Sequence, residues 1–226
     1  QYSSIDRDQD NPITLDYMYK SLQALIETYP DLDGFGISAG DGMEHTENNE
    51  PMKWTWNAMG KAVTDYLAEN PTREFNLIHR SIYANPEGWN TIYAPLRALP
   101  NATMNFSSKY AMAHMYSTPT PRWTNDISDV KSLGLKTWIT LRNDDYFYIN
   151  WGDPKFVRDF MAGIPNKEAV VGMYIGSDGY NPSRTYFCKN DELNGQLEVE
   201  RRWYMEMLWG RISYNPEISD DVFKNM

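Results

Sequence analysis

Asp33-Gly34-Phe35-Gly36-Ile37-Ser38-Ala39-Gly40-Asp41-Gly42-Met43-Glu44-His45 starts as a short apolar strand and breaks into a glycine-rich loop. The loop carries two carboxylates and a histidine. Glycines let a backbone bend and pass close to a ligand. Acids just past the end of a strand are where a parallel barrel keeps its chemistry. The stretch reads as one βα loop of a (β/α)8 barrel, with Asp41 and Glu44 as candidate acids.

On its N-terminal side, Leu15, Met18, Tyr19, Leu22, Leu25 and Ile26 follow helical spacing, with Thr14 placed to cap them and Tyr29-Pro30 to end the run. On its C-terminal side, Trp54 to Leu67 reads as a helix, and Phe75 to Ile78 as a strand with His79 and Arg80 at its exit. A helix from Trp89 to Leu99 comes next, shortened or kinked by Pro95. Further strands are expected at Ala102–Ser107, Lys136–Leu141 and Ala169–Ile175. Helices are expected from Asn125 to Leu133, from Pro154 to Met161 and from Glu192 to Leu208.

Strand and helix thus alternate five times, which implies a parallel sheet with crossover helices. Buried parallel strands read as short apolar runs, as Val170-Val171-Gly172-Met173-Tyr174-Ile175 does. Each strand leaves through a polar, loop-rich segment, whereas the helix-to-strand turns are short. That asymmetry favours a barrel over an open sheet. The expected fold is therefore α/β, a partial TIM barrel holding the last part of the barrel. Roughly three further strands would lie upstream in a longer chain. Such a piece alone would leave two open sheet edges, so it is expected to be insoluble or inactive by itself.

The 226 residues suit one domain, and the 41% hydrophobic share suffices for a core. Aromatics are plentiful, with 8 Trp and 16 Tyr, and their faces can stack on sugar rings as well as fill a core. A formal net charge of −10 repels phosphate backbones, so nucleic acid is not an expected partner. Basic runs and long apolar runs are both missing, so no membrane partner is expected either. Cys188 is the single cysteine and forms no internal disulfide.

The strand exits hold the chemistry. They offer Asp41, Glu44 and His45; then His79 and Arg80; then Lys109 and His114; then Arg142, Asn143, Asp144 and Asp145; and last Asp178 and Arg184. In a parallel sheet they converge on one mouth. Glycoside hydrolysis needs two carboxyl groups astride the scissile bond, one a proton donor and the other a nucleophile or a base for water. Asp41 or Glu44 facing Asp144 or Asp145 would supply the pair. Each acid has a plainer reading as a cap, a turn residue or an ion-pair partner. Arg80, Lys109, Arg142 and Arg184 could grip a substrate carboxylate, or could balance the site's own acids. His79, His114 and Asp178 could instead bind a metal for hydrolysis, although no tight ligand spacing supports it. A glycan-binding barrel without catalysis is a further alternative. Gly34-x-Gly36 lies inside the strand and fails as a dinucleotide fingerprint. Gly36-Ile37-Ser38-Ala39-Gly40 matches a hydrolase elbow, yet no helix comes directly after it.

Arg202-Trp203-Tyr204-Met205-Glu206-Met207-Leu208-Trp209-Gly210-Arg211-Ile212-Ser213-Tyr214-Asn215-Pro216 resembles the helix that closes the barrel in α-glucuronidases of glycoside hydrolase family 67. The loop around Gly40 is similar in placement to that family's fourth-strand loop, which carries the general acid. The resemblance implies hydrolysis of a uronic-acid-containing glycan, with Glu44, or failing it Asp41, as acid. It departs from the family at Ser108-Lys109-Tyr110, where an aspartate is expected, and at Arg142-Asn143-Asp144-Asp145, where a glutamate is expected. It also implies a barrel portion over 1–211 and the start of a helical region over 212–226. His79, Arg80, Lys109, His114, Arg142, Trp151, Asp178 and Arg184 would line the sugar site. No cofactor is expected, and the substrate class favours a periplasmic or extracellular setting.

Overall fold

The computed structural model describes residues 11–39, 49–80, 86–109, 118–120, 126–142, 152–176, 200 and 203–224. Five strands form one parallel sheet in sequence order: β1 (Gly34–Ile37), β2 (Phe75–Arg80), β3 (Ala102–Lys109), β4 (Lys136–Arg142) and β5 (Val170–Gly176). By internal contacts the chain groups into two compact units. One comprises Gln1–Ser108 with Asp126–Trp138, the other Lys109–Asn125 with Ile139–Met226.

In the first unit, α1 (Pro12–Thr28) begins earlier than expected, with Thr14 inside it rather than capping it. Asn11 caps it, its Oδ1 accepting the Ile13 N–H at 2.9 Å, and Pro12 fills the first turn, where no backbone donor is needed. The second helix comes in three pieces: α2 (Glu50–Thr55), a π-helical turn (Trp56–Gly60) and α3 (Lys61–Glu69). A π-turn inserts an extra residue and rotates the helix beyond it. Buried residues run through all three pieces: Thr55 before the turn, Ala58 and Met59 within it, and Ala62, Val63 and Leu67 after it. The expected helix at 89–99 is broken by Pro95 into α4 (Pro86–Thr91) and α5 (Ala94–Arg97).

β1, β2 and β3 pair in parallel, with Phe35 beside Leu77 and Leu77 beside Met104. These side chains pack against Ile26, Met52, Val63, Trp89 and Leu96 of the helical layer. Gly34 is dictated by the sheet, since a Cβ there would run into the carbonyl oxygen of Asn76. Asn101 ties the layers together at the N-terminal side of β3. Its amide donates to the carbonyls of Leu67 and Asn70 at 3.1 Å and of Arg73 at 3.0 Å. α6 (Asp126–Ser132) closes on Gly134, whose φ of +68° ends the helix in the left-handed region.

In the second unit, Asp153 caps α7 (Pro154–Gly163), accepting the Lys155 N–H at 2.9 Å. A short 3-10 turn (Lys167–Ala169) leads into β5. β5 departs from the buried strand that its apolar run suggests: Val171 and Tyr174 are exposed, because β5 is last in the strand order. α8 (Trp203–Tyr214) packs on α7 through Phe160 and Trp209, whose rings meet edge to face at 5.2 Å. This helix continues six residues beyond the expected end at Leu208. Arg158 then binds the segment after the helix, donating to the carbonyls of Pro216 and Ile218 and pairing with Asp220, ahead of α9 (Asp221–Lys224).

Candidate functional site

Side chains alternate along a strand, and register partners in parallel strands share a face. Phe75, Leu77 and His79 therefore look toward the helices, as their burial confirms. The other face carries Gly34 beside Asn76 beside Thr103, then Gly36 beside Ile78 beside Asn105, then Arg80 beside Ser107. This second face is mostly polar, with Ile78 as its large apolar side chain. Asn105 donates its side-chain amide to Asn76 Oδ1 at 3.0 Å, which confirms that the two share it. At the C-terminal ends of β2 and β3 the row finishes on the Arg80 guanidinium and the Ser107 hydroxyl.

His79 stands on the opposite side. The sequence places it at the strand exit as a sugar contact, but β2 runs on through Arg80 and the imidazole is 0% exposed. Its Nδ1 lies 2.6 Å from the carbonyl oxygen of Arg80 and its Nε2 lies 3.1 Å from Thr55 Oγ1. Tyr93 donates its hydroxyl to the same Thr55 oxygen at 2.8 Å. A carbonyl can only accept, so Nδ1 carries the proton and Nε2 is the acceptor nitrogen of the neutral ring. The single Thr55 hydroxyl proton has two acceptors in reach, Nε2 and the Met52 carbonyl oxygen at 2.9 Å. Burial drives the His79 pKa down to about 4, against a smaller upward pull from the Arg80 carbonyl. Burial also pushes the Tyr93 hydroxyl well above its ordinary value. With both ring nitrogens engaged and no open surface, the imidazole reaches neither a sugar nor a metal in this arrangement. No group of three or more metal-ligating side chains exists among the described residues.

Lys109 and Arg142 are the last residues of β3 and β4, as strand-exit cations should be. Their side chains, and all of Asp41, Glu44, His114, Asp144, Asp145, Trp151, Asp178 and Arg184, lie outside the described residues. Asn76, Asn105 and Ser107 escaped the sequence reading, although polar residues alternating with apolar ones inside a parallel strand were the available signal. Within the second unit, a cleft of about 330 Å³ opens between β5 and the Glu206-Trp209-Gly210-Ser213 face of α8. Tyr174 lines it, its hydroxyl accepting from Thr140 at 2.8 Å.

No family model and no curated protein matches this chain. Among solved structures it is similar to a GH138 enzyme targeting pectin rhamnogalacturonan II. The likeness has a TM-score of 0.66 at 18% identity and covers 93% of this chain and 24% of that one. The chain shares its fold with part of a glycoside hydrolase. It spans about a quarter of that enzyme's length, and at this identity the likeness concerns the fold alone. No helix among the described residues is long and apolar enough to cross a membrane.

Proposed function

We propose that the chain is a barrel portion of a glycoside hydrolase that acts on a uronic-acid-bearing glycan through two carboxyl groups. The observation that carries the reading is the polar face of β1–β3. It ends on Arg80, beside the buried Ser107, at the C-terminal ends of parallel strands, where such folds hold their ligands. The fold shared with an enzyme that targets pectin supports it, since pectin is a uronic-acid-containing glycan. Glu44 or Asp41 would protonate the leaving oxygen, and Asp144 or Asp145 would act as nucleophile or base. Arg80, Lys109, Arg142 and Trp151 would hold the sugar, with His114, Asp178 and Arg184 at neighbouring exits. An α-glucuronidase-like specificity is the finer form of this reading and rests on the 202–216 segment. The proposed layout keeps 1–211 in the barrel and begins a helical region at 212.

The test uses the full-length protein and pectic and glucuronate-capped oligosaccharides, with release of reducing ends as the readout. Glu44→Gln, Asp41→Asn, Asp144→Asn and Asp145→Asn are compared one at a time. Loss of an essential carboxyl group should lower the rate by about 10²–10⁴-fold. Four variants at wild-type rate would remove the proposed acid pair. Tight binding without any release would favour a glycan-binding barrel.

A further inference from the structure

We infer that His79 is a positioning residue that aims Arg80 at a ligand carboxylate from behind the sheet, and this rests on the uronate reading above. His79 and Arg80 are consecutive in β2 and project to opposite faces. The imidazole is locked into the helical layer, while its Nδ1–H grips the carbonyl oxygen of Arg80 at 2.6 Å. That carbonyl belongs to Arg80, the last residue of β2. Holding it fixes the final backbone torsions of Arg80, and so the direction in which the guanidinium leaves the sheet beside Ser107.

The grip is itself built. Thr55 orients the ring through Nε2 at 3.1 Å, and Tyr93 orients Thr55 at 2.8 Å. The Tyr93 ring also meets the imidazole edge to face at 5.2 Å. The π-turn begins at the residue after Thr55 and ends on Gly60. A Cβ at Gly60 would meet the Trp56 ring at 2.8 Å and the Tyr93 ring at 2.9 Å, so this glycine leaves room for both aromatics. π-turns are costly and are frequent at functional sites. Leucine would fill the same apolar layer without leaving ring nitrogens to satisfy.

The test compares His79→Asn, His79→Gln and Thr55→Val with wild type in the full-length protein. The Asn amide reaches where Nδ1–H sits; the Gln amide reaches toward Nε2. Affinities for galacturonate and glucuronate are measured against galactose and glucose. Order of the Arg80 Nε–H is followed by ¹⁵N relaxation in the ligand-free protein. The expected result is about a tenfold loss of uronate-over-neutral preference in His79→Gln and Thr55→Val, with Arg80 more mobile, since one hydrogen bond is worth about that factor. His79→Asn should retain both. If wild type shows no uronate preference while Arg80 still loosens in the same two variants, the positioning stands and the uronate reading fails. If Arg80 order and ligand preference are unchanged in all three, or change equally in all three, the positioning role is overturned.

Discussion

Lowering the pH from 6.5 to 4 should destabilise this protein, with burial of His79 as one identifiable contribution. His79 is 0% exposed and its pKa falls from 6.5 to about 4 because burial penalises the charged ring. The groups packed on it are Thr55, Tyr93 and Phe106. In the unfolded chain the ring takes up its proton near pH 6.5, while in the folded chain it does so only near pH 4. The unfolded state therefore holds more protons in this window, and stability falls as the pH falls. The contribution is fully present above pH 6.5, is reduced by about 2 kcal/mol at pH 5, and is lost below pH 4. At about 1.4 kcal/mol per pH unit the total comes to about 3 kcal/mol. Carboxylates titrate in the same range, so the assay is differential. Urea midpoints of wild type and His79→Asn are followed from pH 7.5 to 3.5, because the amide does not titrate. The difference between the two should change with pH in the sense that favours the variant in acid. A difference that stays flat across that range would mean the ring is hydrated or already paired when charged, and the burial argument would be refuted.

Asn101→Ala removes one amide that serves three backbone carbonyls, and should lower stability by about 1–3 kcal/mol, read as a drop in the chemical-denaturation midpoint. Gly34→Ala drives a methyl into the Asn76 carbonyl and should cost about 1–3 kcal/mol or more, with amide exchange accelerating along β1 and β2 first. Gly210→Ala meets nothing within 4 Å on α8 and should raise stability by about 0.5–1 kcal/mol; a melting temperature that falls would show the cleft beside it to be filled.

The strand–helix rhythm was legible because it rests on apolar runs separated by Gly and Pro, and all five expected strands appear within two residues of their places. Pro95 announced its own break. What could not be read is which side each strand residue faces once a run is polar at its end. His79 and Arg80 look alike in sequence as charged residues after an apolar strand, yet β2 carries both two residues further and sends them apart. The π-turn at Trp56–Gly60 packs against Tyr93, more than thirty residues away, and nothing in the local sequence announces that contact. Thr55 was consequently invisible as a partner. In the C-terminal segment the helix runs past the expected Leu208 to Tyr214, because Leu208, Trp209 and Ile212 are buried and Trp209 packs on Phe160 of α7.

The division of β2 into two faces bears on how selectivity could arise in a chain with a net charge of −10. Such a chain repels an acidic glycan at long range, so attraction must be local and geometric. A guanidinium gains from a carboxylate mainly when both of its N–H groups meet both oxygens, and that fork tolerates little misdirection. A mobile arginine at a strand exit would lose much of this gain to the entropy of being ordered on binding. Pinning its backbone carbonyl before the ligand arrives moves that ordering into folding. The neutral imidazole suits the task better than a charged one. A cation at His79 would be buried one residue from the Arg80 charge and repel it, whereas the neutral ring restrains the backbone without adding to the field.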